Sequence, residues 1–112
     1  MDNSINTNNQ VKYENPQEIG FTIYSKSGCP NCTRIKKIFT ESKQTFIEIN
    51  CDEYLIEDKG SFLSFIKNLA QKDWSMFPII FNNGIFIGGF NETQEFLDKQ
   101  LCFDEKPGCI FF

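Results

Sequence analysis

A run of β-branched and aromatic residues, Ile19–Ser25 (IGFTIYS), passes through Lys26-Ser27-Gly28 into Cys29-Pro30-Asn31-Cys32. Apolar residues at helical spacing follow at once. The run reads as a strand. Pro30 suits the first turn of a helix, where its missing N–H leaves no intrahelical bond unmade. Ile35, Ile38 and Phe39 then mark one face, with Arg34, Lys36 and Lys37 between them, so a helix is expected from Cys32 to about Ser42. A strand that feeds straight into a helix needs a crossover before it can pair in parallel with the next strand. The cysteine pair is thereby placed where the strand ends and the helix begins.

The rest of the chain continues the alternation. Thr45–Asn50 (TFIEIN) alternates as a second strand, and Phe62, Leu63, Phe65, Ile66 and Leu69 form the stripe of a second helix over Gly60–Lys72. Phe77–Phe81 is a third strand and Ile85–Gly89 a fourth, joined by the hairpin signal Asn82-Asn83-Gly84. Asn91 can cap a last helix that runs to about Leu101. The order β-α-β-α-β-β-α predicts an α/β fold: a four-stranded mixed sheet flanked by three helices, its first two strands parallel and its last two antiparallel. Residues 1–17, rich in Asn, Ser and Gln, are expected to be a flexible arm; 18–102 form the domain and 103–112 a C-terminal tail.

With 112 residues, 40% of them hydrophobic and 13 of them Phe, the chain can build one core without help from disulfides. A net charge of −4 argues against a nucleic-acid partner. No apolar run approaches the ~18 residues of a membrane span, and the start of the chain lacks the apolar stretch of a secretory signal. A cytoplasmic, reducing setting is therefore expected, which agrees with an odd cysteine count of five.

Three chemistries compete for Cys29 and Cys32. Structural zinc usually takes four ligands, and the chain has no histidine and no second C-x-x-C, so no metal is expected. A permanent disulfide across two intervening residues closes too small a loop to restrict the unfolded chain much. A redox pair fits best. Free N–H groups and the positive end of the helix dipole favour a thiolate at Cys29, the exposed nucleophile. Cys32, one turn on, is the shielded resolving thiol.

Three separated motifs, in order, make the chain resemble a glutaredoxin of the dithiol type, in the thioredoxin-fold superfamily, over roughly residues 18–101. Lys26–Cys32 (KSGCPNC) is similar to the family's K-x-x-C-P-Y-C. Met76-Phe77-Pro78 stands at the place of T-V-P, and Ile87–Glu92 (IGGFNE) is similar to G-G-x-x-D. The resemblance implies a glutathione-dependent thiol–disulfide oxidoreductase, with glutathione as co-substrate and glutathionylated or disulfide-bonded proteins as partners, acting as a monomer.

It also implies a glutathione site. Lys26, on its own a solvated loop charge, attracts the glycine carboxylate. Pro78, on its own a strand start, is the family's cis-proline and turns the Phe77 backbone toward the cysteinyl part of glutathione. Gly88 and Gly89 allow close approach, and the helix start at Asn91 and Glu92 receives the γ-glutamyl end. Asn31 stands where the family usually has Tyr, and Met76-Phe77 where it has Thr-Val. Gln71 and Lys72 are candidates for the second helix's polar contact, and Trp74 either walls the site or packs.

Two other functions fit less of the sequence. A thioredoxin-like protein reductant lacks support from a W-C-G-P-C motif. A glutathione-dependent 2Fe–2S cluster module is disfavoured in the family by a proline after the first cysteine. Of the remaining cysteines, Cys102 reads as a small core residue and Cys51 as exposed and oxidisable. Cys109, fourth from the end in CIFF, has the C-a-a-X prenylation form, which would bring a membrane into play; the plainer reading is an apolar tail packed on the domain.

Overall fold

A computed structural model describes residues 13–105, with side chains through Gln100. Its elements run β1 (Phe21–Ser25), α1 (Pro30–Glu41), β2 (Phe46–Asn50), α2 (Asp52–Ala70), β3 (Ile79–Asn82), β4 (Ile85–Gly88) and α3 (Phe90–Glu105). The sheet order is β2-β1-β3-β4. The β1–β2 pair is parallel, and the β1–β3 and β3–β4 pairs are antiparallel. The expected α/β architecture is thus the observed one.

β1 is central, and all five of its residues are buried. Its alternation feeds two cores, because successive side chains leave opposite faces of a strand. Phe21 and Ile23 join Ile35 and Phe39 of α1, Ile80 of β3 and Leu97 of α3. Tyr24 joins Ile49, Cys51, Phe62 and Ile66 on the α2 side, with Ile79 and Phe81. So α1 and α3 cover one face and α2 the other.

The differences from expectation have local causes. β1 begins at Phe21 rather than Ile19: Gly20 takes φ +93 and Ile19 stands 81% exposed. At the tip of the β3–β4 hairpin Asn83 and Gly84 both have positive φ, 54 and 80. The turn is tied to the entry of β1 by Asn83 N–H to Gly20 O (2.9 Å) and by Gly20 N–H to Asn83 Oδ1 (2.7 Å).

The second helix starts eight residues before the expected Gly60, at Asp52. It is two helical segments joined at Asp58, whose backbone is extended (φ −163, ψ 83). Asn50 Oδ1 accepts the Asp52 N–H at 3.0 Å at the first start, and Asp58 Oδ1 accepts the Ser61 N–H at 3.0 Å at the second. The acidic, glycine-containing stretch Glu57–Gly60 interrupts the apolar stripe and hides the first segment from a periodicity reading.

Part of the expected N-terminal arm belongs to the domain. The Tyr13 ring packs among Tyr54 and Phe65 at 4.9 and 5.0 Å, and the Tyr24 hydroxyl donates to Glu14 O at 2.7 Å. Gln17 bonds Thr22 Oγ1 and Phe21 O. Residues 1–12 lie outside the described residues, as do the side chain of Cys102 and all of Cys109. α3 continues to Glu105, past the expected end at Leu101 and into the stretch assigned to the tail. No helix of the described residues is long and apolar enough to cross a membrane.

Removing a cap that serves only the second α2 segment should weaken the fold slightly. Asp58→Ala is expected to lower the unfolding free energy by about 1 kcal/mol in urea titration, with an unchanged slope. A loss several times larger would mean that Asp58 does more than cap.

Candidate active site

The turn between β1 and α1 is built to present one sulfur. β1 ends at the buried Ser25, and Gly28 then takes φ +68 with open space around it. Cys29 occupies the N-cap of α1 with extended φ/ψ of −117/98, and its Sγ accepts the Cys32 N–H at 3.2 Å. A thiol here fills the role usually given to a Ser or Asp oxygen. Its carbonyl also starts the helix, accepting from Cys32 N–H and Thr33 N–H at 3.1 and 3.3 Å. Pro30 follows in the first turn, as expected.

The two thiols are unequal. Cys29 is half-buried and Cys32 is 2% exposed; both are free. Burial, joined by the hydrogen bond to Cys29, pushes the Cys32 thiol up to about 12, against smaller opposing effects from the Lys26 backbone N–H and the Lys36 charge. At neutral pH Cys32 is therefore a protonated thiol behind an accessible one.

Cys29 opens into a shallow cleft of about 300 Å³ lined by Lys26, Gly28, Pro30, Asn31 and Phe77. Lys26 Nζ lies 5.5 Å from the centre of the Phe77 ring, a cation–π distance. The Phe77 ring stacks on Phe62 in the core at 6.4 Å and 16°. The Phe77–Pro78 bond is cis, and Pro78 is buried. Asn31 Oδ1 accepts from Arg34 Nη1 at 3.0 Å, and the Arg34 guanidinium lies 4.7 Å from the centre of the Phe90 ring. Of the residues singled out in the sequence, Lys26, Cys29, Asn31 and Phe77 thus meet in one cleft.

Gly88, Gly89, Asn91 and Glu92 form a separate corner where β4 enters α3. Gly88 has φ +137, and a Cβ there would come within 2.7 Å of Glu92 Cβ, so only glycine fits. α3 begins at Phe90, one residue before the expected start. Gly89 therefore holds the cap position and Asn91 does not cap. Glu92 Oε1 accepts the Gly89 N–H at 2.9 Å, the reciprocal half of a capping box. A Cβ on Gly89 would lie 3.5 Å from the Pro78 carbonyl oxygen, which places this corner beside the Phe77–Pro78 wall.

Two supports of the site escape a sequence reading. Asp52, the first residue of α2, accepts the Ser27 N–H at 2.9 Å through Oδ1 and the Ser27 hydroxyl through Oδ2. Those bonds, chiefly the hydroxyl's, hold its carboxyl below the usual range, with help from the Lys26 charge. Asp52 thereby tethers the loop that carries Lys26 and Gly28. Beneath it, Glu48 Oε2 accepts from Ser25 Oγ at 2.6 Å and from Lys36 Nζ at 2.9 Å, joining β1, β2 and α1; the Ser25 bond is the main cause of a lowered Glu48 carboxyl. Both contacts link residues far apart in the chain, and neither leaves a periodic or motif signal. Cys51 is corrected here: it is 0% exposed, and burial followed by the Asp52 charge raises its thiol to about 12, so it is a core residue. Among the described residues no group of three or more His, Cys, Asp or Glu is placed to hold a metal ion.

Comparison with known proteins agrees with this geometry. The sequence matches the family described as Glutaredoxin over residues 21–87. It is 39% identical over 74 residues to Glutaredoxin-C6 of rice (Oryza sativa subsp. japonica), covering 63% of this chain and 60% of the rice protein. The chain thus spans less than two thirds of that relative's length. Glutaredoxin 1 from Francisella tularensis, crystallised with cacodylate, superimposes with a TM-score of 0.63 at 31% identity, covering 72% of this chain and 94% of that one. A buckwheat glutaredoxin–glutathione complex shares the fold, with a TM-score of 0.57 at 23% identity over 71% of this chain and 69% of its own. The sequence match spans the sheet and its first two helices, and the cysteine pair lies at the expected strand-to-helix turn: this chain belongs to the glutaredoxin family.

Proposed function

We propose that this protein is a thiol–disulfide oxidoreductase that uses glutathione, with Cys29 as nucleophile and Cys32 as resolving thiol. The observation that carries the reading is the placement of Cys29: half-buried at the N-cap of α1, in a cleft shared with Lys26 and Phe77 and directly in front of buried Cys32. A buckwheat relative of the same fold binds glutathione, as its complex records.

In the proposed cycle the Cys29 thiolate attacks the glutathione-linked sulfur of a mixed disulfide. The S–S bond breaks, the substrate leaves as a thiolate and takes a proton, and Cys29 carries glutathione. A second glutathione thiolate attacks the glutathione sulfur, releasing oxidised glutathione and restoring the Cys29 thiolate. With a protein disulfide, Cys29 first joins one substrate sulfur. Cys32 then loses its proton and attacks Cys29, releasing the reduced protein and leaving a Cys29–Cys32 disulfide for two glutathiones to reduce.

The elevation of Cys32 suits that order. Part of it comes from the hydrogen bond to Cys29 and from the Cys29 charge. Both fall away once Cys29 is in a disulfide, so the resolving thiol becomes more acidic only when it is needed.

Lys26 supplies a positive charge for the glycine carboxylate of glutathione. The peptide groups of Phe77 offer strand-like pairing to its cysteinyl part. The α3 start, with Gly89 at the cap and Asn91 and Glu92 in the first turn, receives the γ-glutamyl end through free N–H groups. Glu92, now bonded to the Gly89 N–H, can turn to the glutamyl ammonium.

The test is turnover of a small glutathione mixed disulfide, coupled to glutathione reductase. Cys32→Ser should retain turnover, whereas Cys29→Ser should lose about a hundredfold or more. A wild type inert with glutathione but recharged by thioredoxin reductase would overturn the reading in favour of a thioredoxin-like reductant. A visible absorption band from a bound iron–sulfur cluster, with no turnover, would point instead to a cluster-binding module.

Iodoacetamide should label Cys29 in the folded protein near pH 8 and leave Cys32 and Cys51 untouched until denaturant is added, as read by peptide mapping. Labelling of Cys32 before unfolding would contradict its burial and raised pKa.

Asp52→Ala removes the acceptor of both Ser27 bonds and frees the loop that carries Lys26. It should raise KM for glutathione by about threefold to tenfold, the scale of one or two lost charge-assisted bonds, with kcat little changed. Because the Asp52 carboxyl is lowered in the folded protein, the tether is complete above the ordinary carboxylate range. It is lost as pH falls through the lowered value, and KM in the wild type should rise there. Equal KM in wild type and Asp52→Ala across that range would remove Asp52 from the site.

A further inference from the structure

The proposed glutathione site draws its two walls from different parts of the chain. One is the segment that ends in Phe77 and cis Pro78; the other is the Gly88–Glu92 corner. A single side chain touches both. Trp74 Nε1–H donates to the Met76 carbonyl at 2.9 Å, closing the turn directly before Phe77. Its Cζ2 lies so near Gly89 that a Cβ there would come within 3.3 Å. Its ring also meets Phe86 of β4 edge-on, at 5.3 Å and 70°.

Trp74 packs on the edge of the α2-side core, but core filling does not account for all of its contacts. Trp74 is only half-buried. It also borders a hollow of about 300 Å³, shared with Leu63, Asp73 and Ser75. Beside its contacts with Phe86 and with the Lys72 ammonium, 5.8 Å from the ring centre, its hydrogen bond and its edge against Gly89 bear on the two walls. Replacing Gly89 by a larger residue would press on the ring, so glycine here serves the tryptophan as well as the ligand.

We propose that Trp74 is a positioning residue that sets the spacing between the Phe77 wall and the Gly89–Glu92 helix start, and through that spacing the affinity for glutathione bound across them. This inference rests on the glutathione reading above. Trp74 makes no contact with Cys29 among the interactions described, so the chemical step is left to the cysteine. The ring acts on how well the two ends of the tripeptide are held at once, which is a matter of orientation rather than of new contacts.

Trp74→Phe keeps an aromatic ring against Gly89 and Phe86 but loses the N–H donor; Trp74→Ala loses both. Loss of one neutral hydrogen bond predicts a KM for glutathione about threefold to tenfold higher in Trp74→Phe, with kcat within about twofold. Trp74→Ala should show a larger KM effect in the same direction. Unchanged KM in Trp74→Phe, or a fall in kcat at constant KM, would overturn the proposal.

The unsubstituted ring gives a second readout, since Trp74 is the only tryptophan in the chain. Oxidised glutathione added to reduced Cys32→Ser should form a Cys29–glutathione disulfide, with one reduced glutathione released. Peptide mapping by mass spectrometry reports that bond at Cys29. Trp74 emission should shift as the bond forms and return when dithiothreitol breaks it. A disulfide that forms without any change in emission overturns the role of Trp74 and leaves glutathione chemistry standing. If no disulfide forms, both fall.

Discussion

The placement of the reactive sulfur depends on the confinement of β1. It is hydrogen-bonded on both edges, parallel to β2 and antiparallel to β3, and buried on both faces. A strand held on every side cannot slip by one residue without exchanging the contents of the two cores. Its last residue, Ser25, is therefore fixed, and so is the short loop to Cys29. The Ser25–Glu48–Lys36 chain of bonds adds a polar brace at that end, where β1, β2 and α1 meet. Cys29 reaches the cleft because of where β1 stops, and β1 stops there because Phe21, Ile23 and Tyr24 each have a designated core.

From that fixed point the two sulfurs diverge in character by a single helical turn. At the N-cap, Cys29 sits over the first N–H groups of α1 and accepts one of them. One turn inward, Cys32 shares the apolar face of Ile35 and Phe39 and has no water to stabilise a charge. The same 3.6-residue period that makes the helix amphipathic leaves one thiol accessible at the cleft and buries the other behind it. Burial, and after it the hydrogen bond to Cys29, keeps the Cys32 thiol high.

How much of this is visible in the sequence depends on the range of the interactions. Strands and helices built on local periodicity were legible, and so was the cysteine pair, because Pro30 and the strand before it are neighbours of the cysteines. Lys26, Asn31 and Phe77 were assigned by resemblance and do meet at Cys29. The first segment of α2 was not legible, since Glu57–Gly60 breaks the apolar pattern that would have joined it to the second. Nor was the docking of Tyr13 and Glu14, which depends on partners about forty residues away, among them Tyr54. Asn91 was a reasonable cap by residue type. The cap lies at Gly89 because α3 begins at Phe90, and there Glu92 Oε1 reaches back to the Gly89 N–H.

The early segment of α2 connects these points. Its first turn supplies Asp52 to the active-site loop and Tyr54 to the N-terminal segment, while Cys51 between strand and helix is sealed in the core. The loop that carries Lys26 is thus held from α2 rather than from its own neighbours. On the opposite side of the cleft, the Phe77 wall is held by Trp74 from the loop after α2. Both supports stand outside the motifs around Cys29, Pro78 and Gly88, and both bear on the surroundings of the cleft rather than on the sulfur. The placement of Cys29 and the support of the cleft around it are therefore separable. The first is set by β1 and α1, the second by α2 and the loop that leaves it, so the position of the sulfur and the shape of its surroundings rest on different elements.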